Sequence, residues 1–129
     1  MKGHDMNLRT LFENSPHTQV FQAGQTIFAS GDSGKMMYVI LDGSVEVVIP
    51  NGLVEILQPG ELFGEMALVE TRPRVATAKA KTDCRLAQVD EQQFLFMVSE
   101  TPFFALHVMR VLAERLRRTE ALTIPAASR

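Results

Sequence analysis

Gly60-Glu61-Leu62-Phe63-Gly64-Glu65-Met66-Ala67-Leu68-Val69-Glu70-Thr71-Arg72-Pro73-Arg74-Val75-Ala76-Thr77-Ala78-Lys79-Ala80 is the stretch around which this chain is organised. It reads as a small anion site. Gly64 permits a close backbone approach, and Glu65 to Val69 is long enough for only about one helical turn. Such a turn offers main-chain N–H groups and the partial positive charge of a helix start, both suited to a phosphate. Arg74 adds a planar guanidinium that grips phosphate oxygens with directed hydrogen bonds. Glu65 has the opposite sign, which fits a carboxylate that accepts from a sugar hydroxyl beside the phosphate. Pro73 is expected to end the turn, since the residue before proline is pushed out of the α region, leaving Arg74 at the entry to an extended run.

Upstream of this stretch the signals are short β-prone runs divided by turns. They are Gln19–Phe21, Thr26–Ala29, Met36–Leu41, Ser44–Ile49 and Leu53–Leu57, with Gly31-Asp32-Ser33-Gly34 as one of the turns. Asp42-Gly43 and Asn51-Gly52 favour the positive φ angles of tight hairpins, so two successive hairpins form a meander. Val75–Lys81 and Cys84–Val89 resume extended structure, for about eight short strands in all and a jelly-roll-like antiparallel barrel over about residues 14–90. Residues of one parity share a strand face, which groups Arg74, Ala76, Ala78 and Ala80. Those small alanines are expected to leave room for a ligand, with Thr77, Lys79 and Lys81 in water.

Helices flank the strands. Leu8, Leu11 and Phe12 have the spacing of one short amphipathic helix. Asp90 with Gln93 three residues on reads as a capping box, opening a helix to about Glu100, and Thr101-Pro102 restarts a second one to about Leu122. In that helix Phe103, Phe104, Leu106, Val108, Met109, Val111, Leu112 and Leu116 are apolar on more than one side, which leaves a side for a partner. Ala105, Met109, Leu112, Leu116 and Thr119 fall at four-three spacing over about two heptads, too few to specify a coiled coil alone.

The motif itself resembles a known one. Phe63-Gly64-Glu65-Met66-Ala67-Leu68, five residues, then Arg74-Val75-Ala76-Thr77 is similar to the phosphate-binding cassette of the cyclic nucleotide-binding domain family, and the likeness extends from about Leu8 to Leu122. That resemblance implies that Glu65 accepts the ribose 2′-hydroxyl, that Arg74 holds the cyclic phosphate, and that the N–H groups of Ala67 and Ala76 complete its partners. It sets Val75 near base and phosphate, whereas strand parity turns it away. It makes Phe63, Gly64, Glu65, Met66, Ala67, Arg74, Val75 and Ala76 the expected ligand-binding set, for cAMP or cGMP. Valine at 75, where cGMP-selective relatives often carry threonine, favours cAMP. In the family the long C-terminal helix closes over the base, which makes Leu112, Arg115 and Arg118 candidates for a lid or base contact. The plainer reading of Arg115, Arg117 and Arg118 is a solvated helix face near a C-terminus.

Composition bounds the function. At 129 residues and 46% hydrophobic content the chain is one domain with a real core, residues 1–129, and has no room for a second module. A net charge of -2 gives no electrostatic footprint for direct nucleic-acid binding. The single Cys84, no signal-peptide pattern and no membrane-length apolar run suit a soluble, cytoplasmic protein. His4, His17 and His107 are scattered without metal-ligand or triad spacing, and no Walker-type loop is present, so neither a catalytic residue nor a metal site nor a cofactor is expected. The expectation is a cyclic nucleotide sensor that is not an enzyme, pairs through its C-terminal helix as a homodimer, and signals to a downstream protein the sequence does not identify. Two alternatives stand beside it: the sensor part of a DNA-binding regulator of the catabolite-activator type, and a structural dimerisation module whose pocket no longer functions.

Overall fold

The computed structural model describes residues 7–123, with the side chains of 119–123 excepted. Its contacts divide the chain into two compact units, Asn7–Phe94 and the helical stretch from Leu95 onward.

In the first unit a five-residue helix, α1 (Leu8–Phe12), begins at Asn7, whose side chain accepts from the N–H groups of Arg9 and Thr10. Leu8 and Phe12 are buried, and α1 packs against strand β3 (Met37–Asp42) as its apolar edge requires. Eight antiparallel strands follow the expected order: β1 (Thr18–Phe21), β2 (Thr26–Phe28), β3, β4 (Val45–Val48), β5 (Val54–Leu57), β6 (Leu62–Phe63), β7 (Thr77–Ala80) and β8 (Cys84–Val89). The strand without a sequence signal is β6. It has only two residues, and pairing with β3 makes it a strand, Tyr38 opposite Phe63 and Val39 opposite Leu62.

These strands form two four-stranded sheets, ordered β1-β8-β3-β6 and β2-β7-β4-β5, which match the jelly-roll arrangement but are not closed into a barrel. Both sheets feed one core, with Phe21, Tyr38, Ile40, Phe63 and Leu86 from the first and Phe28, Val45, Leu57, Ala78 and Ala80 from the second. Each large side chain fully buried there contributes on the order of 1.5–3 kcal/mol. Strand β3 is buried on both faces from Met37 to Leu41, so it reads as a continuous apolar run rather than an alternation. Gly43 and Gly52 take φ of +83° and +90° in the two hairpin turns, as the Asp-Gly and Asn-Gly pairs require.

Parity along β7 holds, with Ala78 and Ala80 buried and Lys79 exposed. The expected ligand room beside these alanines is not there. Both belong to the packed core, in one buried cluster with Phe21, Phe28 and Leu57. Arg74 and Ala76 precede β7 and are outside the strand's alternation.

The helices of the C-terminal third begin as their caps dictate. At α2 (Glu91–Glu100), the Asp90 N–H donates to Gln93 Oε1 and the Gln93 N–H to Asp90 Oδ1, both at 2.8 Å, a reciprocal capping box. The second helix, α3 (Phe103–Thr123), starts one residue past Pro102. Along it Phe104 and Val108 are buried, while Phe103, Leu106, Met109 and Leu116 stay exposed, so its apolar surface is wider than what is covered. Of the positions at four-three spacing, Met109 and Leu116 are exposed and Ala105 and Leu112 half-buried; the Thr119 side chain lies outside the described residues. No single described helix is long and apolar enough to cross a membrane.

Candidate functional site

The site is built from three pieces of chain. Gly64 stands between β6 and a short 3-10 helix, Glu65–Leu68, in the left-handed conformation with φ +77°. Glycine reaches this conformation at no steric cost, and the turn depends on it. The helix closes with the Ala67 N–H donating to the Gly64 carbonyl at 3.2 Å, so this N–H, expected to serve a phosphate, is already engaged and would share or exchange that bond. The helix also stops earlier than Pro73. It ends at Leu68, where the Val69 N–H returns to the Met66 carbonyl at 3.1 Å, and Pro73 falls in the irregular segment beyond.

The second piece is the turn between β2 and β3. The Gly31 N–H donates to the Arg74 carbonyl and the Arg74 N–H to the Asp32 carbonyl, each at 2.7 Å, while Asp32 Oδ2 accepts from the Ala29 N–H at 2.9 Å. This two-way backbone pairing, rather than strand parity, fixes where Arg74 stands.

The third piece is the segment between the 3-10 helix and β7, and its Arg74 side chain joins the other two. Nη1 donates to the Gly64 carbonyl at 3.0 Å and Nη2 to the Met36 carbonyl at 2.8 Å, and Cζ lies 4.0 Å from the centroid of the Phe28 ring. These partners carry no net charge, so they hold the guanidinium without cancelling the charge an anion needs. Among the described residues, Arg74 Nε is the buried side-chain nitrogen left without a hydrogen-bond partner. A buried donor in that condition is costly unless something accepts from it, and a phosphate oxygen is a fitting acceptor. Burial pushes the pKa of Arg74 down, opposed by Tyr38, Glu65 and Asp32 nearby; arginine stays charged through any such shift.

Beneath the guanidinium lies an aromatic trio. Tyr38 and Phe63 stack at 5.3 Å, and Phe28 stands 6.2 Å from Tyr38 and 6.0 Å from Phe63. Burial raises the Tyr38 pKa, against a lowering pull from Arg74. Of the residues expected from sequence, Gly64 and Arg74 are bonded to each other, Phe63 is in the trio, and Glu65 is close enough to favour the charge on Arg74. Ala67 and Ala76 are half-buried, Met66 is 46% and Val75 65% exposed. On α3, Leu112 and Arg115 are half-buried and Arg118 exposed. Nothing in the sequence marks Phe28, Asp32, Gly34, Met36 and Tyr38 as site residues. The Gly31-Asp32-Ser33-Gly34 turn is legible, but its proximity to an arginine 38 residues beyond Met36 is not.

Comparison with known proteins identifies the family of the fold. Residues 18–101 match the profile of the cyclic nucleotide-binding domain. The chain is 34% identical over 104 residues to a CRP-like cAMP-activated global transcriptional regulator of Mycobacterium tuberculosis, covering 77% of this chain and 46% of the regulator. It is 40% identical over 91 residues to a cAMP-dependent protein kinase regulatory subunit of Schizosaccharomyces pombe, covering 70% of this chain and 22% of that one. The crystal structure of Thermus thermophilus catabolite activator protein superposes with a TM-score of 0.70 at 31% identity, over 81% of this chain and 52% of that chain. The chain thus spans about half the length, or less, of these relatives. With the matched profile covering all eight strands and the whole cassette, this chain belongs to the cyclic nucleotide-binding domain family.

Proposed function

We propose that the chain is a sensor that binds a cyclic nucleotide, with cAMP preferred, at the Gly64–Arg74 cassette. The observation that carries this reading is the buried Arg74 Nε, a charged donor held in place by two carbonyls and an aromatic face and lacking an acceptor of its own. In this reading the cyclic phosphate accepts from Arg74 and from main-chain N–H groups of the cassette, including that of Ala76. Glu65 accepts from the ribose 2′-hydroxyl, and Val75 borders the base. Binding is regulatory rather than catalytic: the ligand favours one position of the C-terminal helix over another, and Leu112, Arg115 or Arg118 supplies a contact that differs between them. A homodimer pairs through α3 with Leu112 and Leu116 at its seam, a reading supported by the exposure of Leu116, and in turn acts on a downstream protein. Calorimetric titration with cAMP and with cGMP tests the reading. Saturable binding of cAMP is expected; no heat from either nucleotide with folded protein overturns it.

A further inference from the structure

The guanidinium of Arg74 is seated as well as bonded, and its seat is made by residues far from the cassette. Phe28 ends β2, and the pairing of β2 with β7 is irregular there: Thr26 faces Lys79 and Phe28 faces Ala78, so two residues advance on one strand for one on the other. An extra residue of this kind re-aims a side chain, and such irregularities recur beside functional sites. The re-aimed ring is 9% exposed and packed against Tyr38 and Phe63, so it is not free to turn away. Gly34 completes the seat. A Cβ built there would stand 2.7 Å from Arg74 Nε and Nη2 and 2.9 Å from Cζ, closer than real Cβ contacts allow. The guanidinium therefore occupies space that only glycine leaves.

We propose that Phe28 is a positioning residue of the anion site, its ring face fixing the plane of the Arg74 guanidinium, and that Gly34 leaves the room this plane needs. The inference rests on the cyclic nucleotide reading of the cassette, and goes beyond it in assigning a role to an aromatic on another strand. Positioning matters because directed N–H groups bond a phosphate well only in the right plane, and a ring face restrains a cation without neutralising it.

Two readouts separate the role from plain packing. In ligand-free protein the Arg74 Nε–Hε resonance, over a ring face, is expected upfield in the parent and in Phe28→Tyr, and near its ordinary position in Phe28→Leu and Gly34→Ala. By calorimetry Phe28→Leu should bind cAMP roughly 2- to 30-fold more weakly, the range expected for loss of a cation–π contact, and Phe28→Tyr should restore binding. In an Arg74→Leu background the same Phe28→Leu change should cost much less, because the pair acts as a unit. A parent-like resonance and affinity in Phe28→Leu overturns the proposal. An equal loss with and without Arg74 also overturns it, since the ring would then act through packing alone. Where Phe28→Leu fails to fold, Gly34→Ala decides: its guanidinium must move and its affinity fall while its melting temperature holds, and parent-like values sink the idea. A parent that binds no cAMP removes the functional reading, and the resonance alone then decides the role of Phe28.

Discussion

Arg74 Nη1 donates to the Gly64 carbonyl at 3.0 Å, so the two ends of the cassette are clasped by the residue expected to hold its ligand. If the proposed site takes a phosphate, the clasp makes it preorganised, because the guanidinium is already placed. Truncating one member of a desolvated charged pair costs about 2–5 kcal/mol, so Arg74→Leu should weaken cAMP binding by roughly 30-fold to several thousand-fold. Calorimetry on protein shown to be folded checks this; parent-like affinity would mean the site is misassigned.

Gly64→Ala acts on the same clasp from the other end. At φ +77° an alanine pays a steric penalty, and its Cβ would stand 3.0 Å from Arg74 Nη1 and 3.3 Å from the Met36 carbonyl. A loss of about 1–2 kcal/mol in stability is expected, read as a lower urea midpoint, together with weaker cAMP binding. An unchanged midpoint would show that the turn does not need its glycine.

Selectivity is expected to turn on Val75. A valine cannot accept from the exocyclic amine of guanine, and leaving such a group unpaired costs about 1–3 kcal/mol. Competition titrations should favour cAMP by about ten-fold or more, with Val75→Thr narrowing the gap. Val75 is 65% exposed in this structure, so the ligand must cover it for the argument to hold, and equal or tighter cGMP binding by the parent sinks it.

Away from the site, Asp42 offers a pH test. Its carboxylate accepts from Arg9 Nη2 at 3.0 Å and from Arg85 Nε at 2.8 Å, and these bonds, that from Arg9 first, hold its pKa below the ordinary 3.8. A depressed carboxylate pKa stabilises the fold above the unfolded-state value and loses that contribution as pH falls through the folded-state value. Exposure makes the effect small. Asp42→Asn should therefore reduce the acid-side loss of stability below about pH 4 and leave its shape at higher pH alone. Superimposable stability profiles for parent and variant would contradict this.

The last expectation joins site to output. Charged replacements at Leu112 and Leu116 should give folded monomers, and hydrogen exchange across residues 103–118 should slow when cAMP is added to the parent. Sedimentation of the parent as a monomer at high concentration, with and without cAMP, removes the dimer. Exchange indifferent to cAMP removes the helix as the moving part.

The sequence by itself determined the elements whose signals are local. The Asp-Gly and Asn-Gly turns, the Asp90–Gln93 capping box, the seven longer strands and the cassette from Phe63 to Thr77 could be read because turn chemistry, capping and periodicity act within a few residues. Tertiary structure decided what depends on partners distant in the chain. It made a strand of Leu62–Phe63 by pairing it with β3, turned Ala78 and Ala80 into core rather than ligand space, and kept the two sheets from closing into a barrel. It also set the guanidinium of Arg74 on Phe28, beside Gly34 and against the carbonyl of Met36. None of these neighbours announces itself, because an aromatic in a strand or a glycine in a turn looks the same in sequence whether or not a cation rests on it. Only the pairing that brings the β2–β3 turn to Arg74, with its two main-chain hydrogen bonds, makes them one site.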